Sequence, residues 1–156
     1  MNVAFDFDMT LMFPVNIINR DDPEIGSPNI EFVNKCKNHI KNKDTVFIIT
    51  SRKFSDLSIK QINKFLSHNN INISNTNIFH TDGKMSKAEY SIKNNLDISI
   101  LYDDDGLELV EAKKLNIIPI NSFNNDAKNA FNKFYEIEES KKKINNFKTF
   151  FNTTKV

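Results

Sequence analysis

The sequence predicts an α/β protein: a mainly parallel five-stranded sheet covered by helices on both faces, with a helical C-terminal extension. Two observations carry this. Apolar runs of four to six residues recur along the chain, and the stretches between them repeat apolar residues at helical spacing. Parallel neighbours need crossovers of about a dozen residues, which is what the helical stretches supply.

The first run is VAFDF (3–7), a buried strand interrupted by acids. Residues 12–28, holding Pro14, Pro23, Gly26 and Pro28, read as an irregular flap. NIEFVNKCKNHIKN (29–42) sets Ile30, Phe32, Val33, Cys36 and Ile40 mainly on one face and reads as an amphipathic helix. TVFIIT (45–50) is the second strand, and SDLSIKQINKFLSHN (55–69) repeats the helical pattern with Leu57, Ile59, Ile62, Phe65 and Leu66. NIFH (77–80) is the third strand, and Ser86 caps a helix through Leu96. ISILYD (98–103), a short helix from Leu107 to Leu115 and NIIPI (116–120) complete the alternation. The boundaries that follow are a core at 1–120 and an extension at 121–156. In the extension, Ala127, Ala130, Phe131, Phe134, Ile137, Ile144, Phe147, Phe150 and Phe151 lie at roughly helical spacing. This segment is expected to form one helix packed on the core, chiefly through Phe131, Phe134 and Ile137, then a second helical piece; self-association or a lid are its other roles.

Lysines and arginines (21) nearly balance aspartates and glutamates (20), so bulk charge argues neither for a nucleic-acid coat nor for a membrane surface. Cys36, the single cysteine, excludes an internal disulfide and fits a reducing compartment. With no apolar stretch long enough for a membrane span, and Asp6 and Asp8 spoiling any signal peptide, a cytoplasmic home without membrane partners is expected.

In a parallel α/β sheet, ligands bind along the edge where the strands' carboxyl ends align. Three polar clusters fall there: Asp6-Phe7-Asp8-Met9-Thr10, Thr50-Ser51-Arg52 and Asp103-Asp104-Asp105. Taken singly, each is an ordinary turn or cap; jointly they point to a site. Strand residues two apart share a face, so Asp6 and Asp8 project together, and acids from another strand make a cluster suited to a hard cation such as Mg²⁺.

These residues carry a family resemblance. FDFDMTL resembles the DxDx[TV] opening of the haloacid dehalogenase (HAD) superfamily, VFIITSR its second motif and SILYDDD its fourth, with a lysine of the third supplied by HTDGKMSKAEY. The resemblance covers residues 1–120 in motif order and implies a Rossmann-like core, Mg²⁺ and phosphoryl transfer through an aspartyl-phosphate. It implies Asp6 as nucleophile and Asp8 as acid/base, with the Asp8 main-chain carbonyl, Asp6, Asp103 and Asp104 around the metal. Thr50 would donate to the phosphoryl oxygens. Lys87 at a helix start is the first choice for the phosphate lysine, because adjoining amides also favour anions; Lys84 is the second. Thr10, Ser51, Arg52, Lys84 and His80 are candidate substrate contacts, Arg52 because a guanidinium can grip phosphate bidentately, and Asp82 lies in the same loop. His39 and His68 are expected on the surface.

Neither usual position has room for a cap domain. Uncapped relatives often act on macromolecules, and Thr50-Ser51-Arg52 resembles the second motif of the phosphatase part of polynucleotide end-repair enzymes. The favoured substrate is therefore a nucleotide or nucleic-acid end phosphate, although no basic stripe is present. A phosphatase on a small sugar or other metabolite phosphate, a non-catalytic phosphate-binding module and a receiver-like signalling domain are the alternatives. The receiver reading is weakened because its phospho-acceptor lies on a middle strand, and TVFIIT ends without an Asp.

Overall fold

A computed structural model describes residues 1–15 and 24–154, with the side chains at 138, 147 and 149–154 outside that description. All five anticipated strands form: β1 (Asn2–Phe5), β4 (Thr45–Thr50), β5 (Ile78–His80), β6 (Ile100–Asp103) and β7 (Ile118–Asn121). They pair in parallel throughout, in the order β5-β4-β1-β6-β7. Chain order reverses at β1, flanked by β4 on one side and β6 on the other, so the end of β1 meets the crevice that such sheets offer to ligands. The last strand extends to Asn121, one residue past the anticipated end of the core.

Alternation along the strands explains the three layers. Val3, Phe5, Val46 and Ile48 face α1 (Ile30–Lys41) and α2 (Asp56–His68), packing against Phe32, Cys36, Ile62 and Phe65. Ala4, Phe47, Ile49 and Leu101 face the other way, onto Ala88 of α3 (Lys87–Lys93) and Ala112 of α4 (Gly106–Lys114). Ser86 caps α3 as anticipated, accepting from the Glu89 amide, and Ser55 and Asp105 cap α2 and α4 in the same way. Ile30 and Leu57, assigned to the apolar faces, lie at helix starts beyond the reach of the sheet and stay exposed.

The flap contains order that the sequence pattern hides. Its described ends form a two-stranded antiparallel ribbon, β2 (Met12–Phe13) with β3 (Ser27–Pro28), while Pro23 lies outside the described residues. Gly26 makes the ribbon possible, since a Cβ there would meet the Phe13 carbonyl oxygen at 1.8 Å.

The extension is a single continuous helix, α5 (Asn125–Thr154), not two pieces. Its anchor is Asn124, whose Oδ1 accepts from the Ala127 amide while its Nδ2 donates to Asn29 Oδ1 and Glu31 Oε1, each at 3.0 Å, at the start of α1. Ala127 is fully buried. Phe131 and Ile137, expected to carry the packing, are about half exposed (49% and 51%); Phe131 instead sets its ring edge-on to Phe123. Phe134 is partly buried. The side chains of Phe147, Phe150 and Phe151 lie outside the described residues. No helix among the described residues is long and apolar enough to cross a membrane.

This distribution of burial sets an expected contrast in urea unfolding followed by circular dichroism. Phe65→Ala, which empties a fully buried position packed against Phe7, should cost about 3–5 kcal/mol. Tyr135→Ala on exposed α5 should stay within about 0.5 kcal/mol. A comparable loss at both positions would contradict the core boundary drawn here.

Candidate active site

The C-terminal end of β1 is shaped by its own backbone. The Asp6 amide still bonds to the Tyr102 carbonyl on β6, after which the Phe7 carbonyl accepts from the amides of Thr10, Leu11 and Met12, folding the chain back on itself. Met9 takes a left-handed conformation (φ 65°) at the tip. Asp6 and Asp8 are thereby held on a rigid, nearly solvent-free loop.

The two aspartates have different cationic partners, which resolves their repulsion. Asp6 Oδ1 accepts from Lys87 Nζ at 2.9 Å and Oδ2 from the Thr10 hydroxyl at 3.0 Å. Lys87 Nζ also donates to Asp103 Oδ2 at 2.7 Å, bridging β1 and β6 from the first residue of α3. Asp8 is gripped by Arg52, Nε to Oδ2 and Nη2 to Oδ1, both at 2.7 Å. Asp6, Asp8, Lys87, Asp103 and Asp104 line one small depression with Met9, Ser51 and Asp105 at the carboxyl edge of the sheet.

The acids are heavily loaded for one ammonium. Burial pushes the Asp6 carboxyl upward, but the Lys87 charge and hydrogen bonds from Asp104, Lys87 and Thr10 outweigh it, so Asp6 lies below its usual range. Asp103 is pushed up to about 7 by burial and then by the Asp6 charge. Asp104 is pushed up to about 9 by the same two causes. Burial alone would lower Lys87, yet Asp6 and Asp103 hold it above its ordinary value. Asp6, Asp103 and Asp104 offer oxygen atoms lying within 4.8 Å of one another. An all-carboxylate set with two of its acids, Asp103 and Asp104, forced toward protonation suits a small hard cation, whose charge would relieve that repulsion.

Several candidates are placed otherwise than the sequence suggests. Arg52 does not reach outward for a phosphate. It is buried over the Phe7 ring, with Nε and Nη2 on Asp8 and Nη1 donating to Gln61 Oε1 of α2 at 2.6 Å. Thr10 is fully buried between Asp6 and Ser122, whose hydroxyl is 2.7 Å away, and orients Asp6 without facing the depression. Thr50 is also buried; its hydroxyl accepts from the Arg52 amide at 3.2 Å, while the neighbouring Ser51 lies exposed on the rim. Lys87 is with the acids and Lys84 is not: the Lys84 side chain is 77% exposed, 4.0 Å from Asp82. The Lys87 amide is already taken by Glu108 Oε2 at 2.8 Å, so that part of the reasoning for Lys87 does not hold. His80 sits half-buried at the end of β5, with β4 between it and β1, bonded to the Ser58 hydroxyl at 2.9 Å. Asp8 keeps its carboxylate outside the metal trio, leaving only its carbonyl for that role. His68 is exposed, but His39 is not a simple surface residue: its ring joins Asp44 and the Tyr102 hydroxyl at 2.8 Å each.

Gln61 and Ser122 were missed. Gln61 is a polar residue on the apolar stripe of α2, a position that asks for a buried partner. Ser122 follows β7 and so reaches the same edge as the three recognised clusters, which is the signal that identifies it.

No family model matches the chain, and no curated protein sequence does. Solved structures do. A chain of the Pnkp1/Rnl/Hen1 complex matches with a TM-score of 0.56 at 16% identity, covering 77% of this chain and 45% of that one. A chain of the Pnkp1/Rnl/Hen1 RNA repair complex matches with 0.58 at 15% identity, covering 77% and 41%. The class C acid phosphatase from Bacillus anthracis matches with 0.53 at 14% identity, covering 78% and 66%. The chain thus spans under half the length of the RNA-repair chains. What is shared at such identities is the fold: a five-stranded parallel sheet between helices.

Proposed function

We propose that this chain is a Mg²⁺-dependent phosphomonoesterase that transfers the phosphoryl group to Asp6 and then to water, with a nucleotide or nucleic-acid end phosphate as its substrate. The observation that carries the reading is the convergence of Asp6, Asp8, Lys87, Asp103 and Asp104 on one depression at the carboxyl edge of the sheet. Convergence on Asp6 of Lys87 and Thr10 fixes both its oxygens and keeps it ionised, as a nucleophile requires.

In the form that reacts, Asp8 carries a proton on a lone pair that Arg52 leaves free; attack by an Asp6 oxygen on phosphorus breaks the ester bond, and the departing alkoxide takes that proton. Asp8 then accepts a proton from water as that water attacks the phosphorus, releasing phosphate and restoring the Asp6 carboxylate. Arg52 fixes the plane of Asp8 through two parallel bonds, and each carboxylate oxygen retains a further lone pair for this proton. Lys87 supplies positive charge where the phosphoryl oxygens gather, and the Ser51 hydroxyl on the rim is a donor toward them. Asp6, Asp103 and Asp104, with the Asp8 carbonyl, would hold Mg²⁺, which would polarise the phosphoryl group when bound.

Substrate class is supported by openness. Among the described residues, the connection from β1 to α1 holds only the short ribbon, and that from β4 to β5 only α2 and a 3₁₀ turn (Asn75–Asn77). Recognition of the leaving group then falls to loops at the same edge. Similarity in fold to chains of an RNA repair complex favours a nucleic-acid end over a sugar phosphate.

Hydrolysis should require Mg²⁺ and disappear in Asp6→Asn, while Asp8→Asn should lower kcat by about 10²–10⁴-fold. Full activity in EDTA or in Asp6→Asn would refute the mechanism. Phosphorylated oligonucleotides and mononucleotides should exceed sugar phosphates in kcat/KM; a tenfold advantage for sugar phosphates would refute the substrate class.

Metal binding is separable from turnover. At Mg²⁺ concentrations about 100 times Kd, stability should rise by about 2.7 kcal/mol, read as an increase in Tm. Asp104→Asn should weaken that increase at equal Mg²⁺. An unchanged response would remove Asp104 from the metal site.

A further inference from the structure

Beside the acidic depression lies an aromatic feature with no part in the chemistry above. Phe54 is 62% exposed, in the loop that leaves β4 through Ser51 on the rim of the depression. Phe54 follows Ser51 by three positions, so it stands within about 11 Å of the rim, the scale of one nucleotide.

An exposed ring on a mobile loop would mean little, but this one is fixed from two sides. The Phe54 amide donates to Asp82 Oδ1 at 3.2 Å, tying the loop after β4 to the loop after β5. Its ring stands edge-on to His80, 5.3 Å between centroids at 86°, and His80 is itself bonded to Ser58 of α2. The loop after β5 is a tight turn: Asp82 and Gly83 are both left-handed (φ 61° and 67°), and the Lys84 amide closes onto the Thr81 carbonyl. The turn carries Lys84 outward, and Lys53, next to Phe54, is exposed as well. The result is a rigid aromatic face flanked by two lysines, one loop away from the carboxylate and ammonium cluster.

We propose that the Phe54 ring, backed by His80, is the stacking surface for the nucleobase of the phosphorylated substrate, with Lys53 and Lys84 meeting its anionic backbone. This rests on the phosphatase reading for its biological meaning and names the substrate group that reading leaves open. A flat π-face suits any base, so the site selects nucleotides over sugar phosphates without selecting among bases.

The chain has no tryptophan, so Phe54→Trp introduces a single reporter at the surface itself. In an Asp6→Asn background with Mg²⁺, adenosine monophosphate should quench its fluorescence at saturation and ribose 5-phosphate should not. A 3′-phosphorylated trinucleotide distinguishes the source: tighter quenching than by the mononucleotide assigns the surface to a strand end, and weaker quenching to free nucleotides. In the active protein, Phe54→Ala should lower kcat/KM for the mononucleotide about tenfold more than for ribose 5-phosphate. Absence of quenching, equal quenching by both compounds, or equal losses in Phe54→Ala would overturn the proposal. Quenching without hydrolysis of any phosphate ester would uphold the stacking surface and remove the phosphatase reading instead.

Discussion

The buried ion pair of Lys87 with Asp6 and Asp103 is the constraint around which the rest of the structure is arranged. An ammonium shared by two carboxylates, each of the three side chains less than a tenth exposed, is costly to desolvate and persists only with close geometry on every side. That geometry needs β1 and β6 adjacent and parallel, so that both acids leave the sheet at one edge, and it needs the start of α3 directly over them. The crossover order of the sheet supplies all three conditions. The bridge in turn gathers three carboxyl groups around one ammonium, since Asp104 joins the pair and is driven toward its protonated form. Replacing a buried ionic set by well-packed apolar side chains is often neutral or stabilising, so such a cluster is weak evidence for a role in stability.

Asp6 and Asp8 sit two residues apart and are given opposite surroundings. The first faces Lys87, Thr10 and, through Thr10, Ser122 of the distal strand end; the second faces Arg52, which is held by Gln61 and the Phe7 ring. Separate partners give neighbouring carboxylates different environments, which the proposed division of roles between Asp6 and Asp8 requires. Burial decides what Arg52 touches: enclosed, its guanidinium meets Asp8 and Gln61 instead of the solvent at the rim.

Much of this was legible because strand ends are marked by composition. A hydrophobic run that stops at Asp, Thr or Asp-Asp gives both the element and the edge where its polar residues emerge, so Asp6, Asp8, Asp103 and Asp104 read as one neighbourhood; Lys87 entered through the family resemblance and its place at a helix start, with Lys84 as the second choice. Side-chain direction was not legible. Whether Arg52 turns outward or inward depends on Gln61, nine residues later and on another element, and Thr10 finds Ser122 across 112 residues. The ribbon at residues 12–28 escaped because two-residue strands have no period to detect. In α5, spacing could foresee a helix but could not show that Ala127 is buried while Phe131 stays half exposed.

The central claim is that Asp6, oriented by Lys87 and Thr10, carries the phosphoryl group. Fluoroberyllate, a mimic of an acyl-phosphate, tests it without knowledge of the substrate. Fluorine NMR of the protein with Mg²⁺ and fluoroberyllate should show bound resonances that vanish on chelation and are absent in Asp6→Asn. Resonances that survive in Asp6→Asn, or none with the native protein and Mg²⁺, would contradict Asp6 as the acceptor.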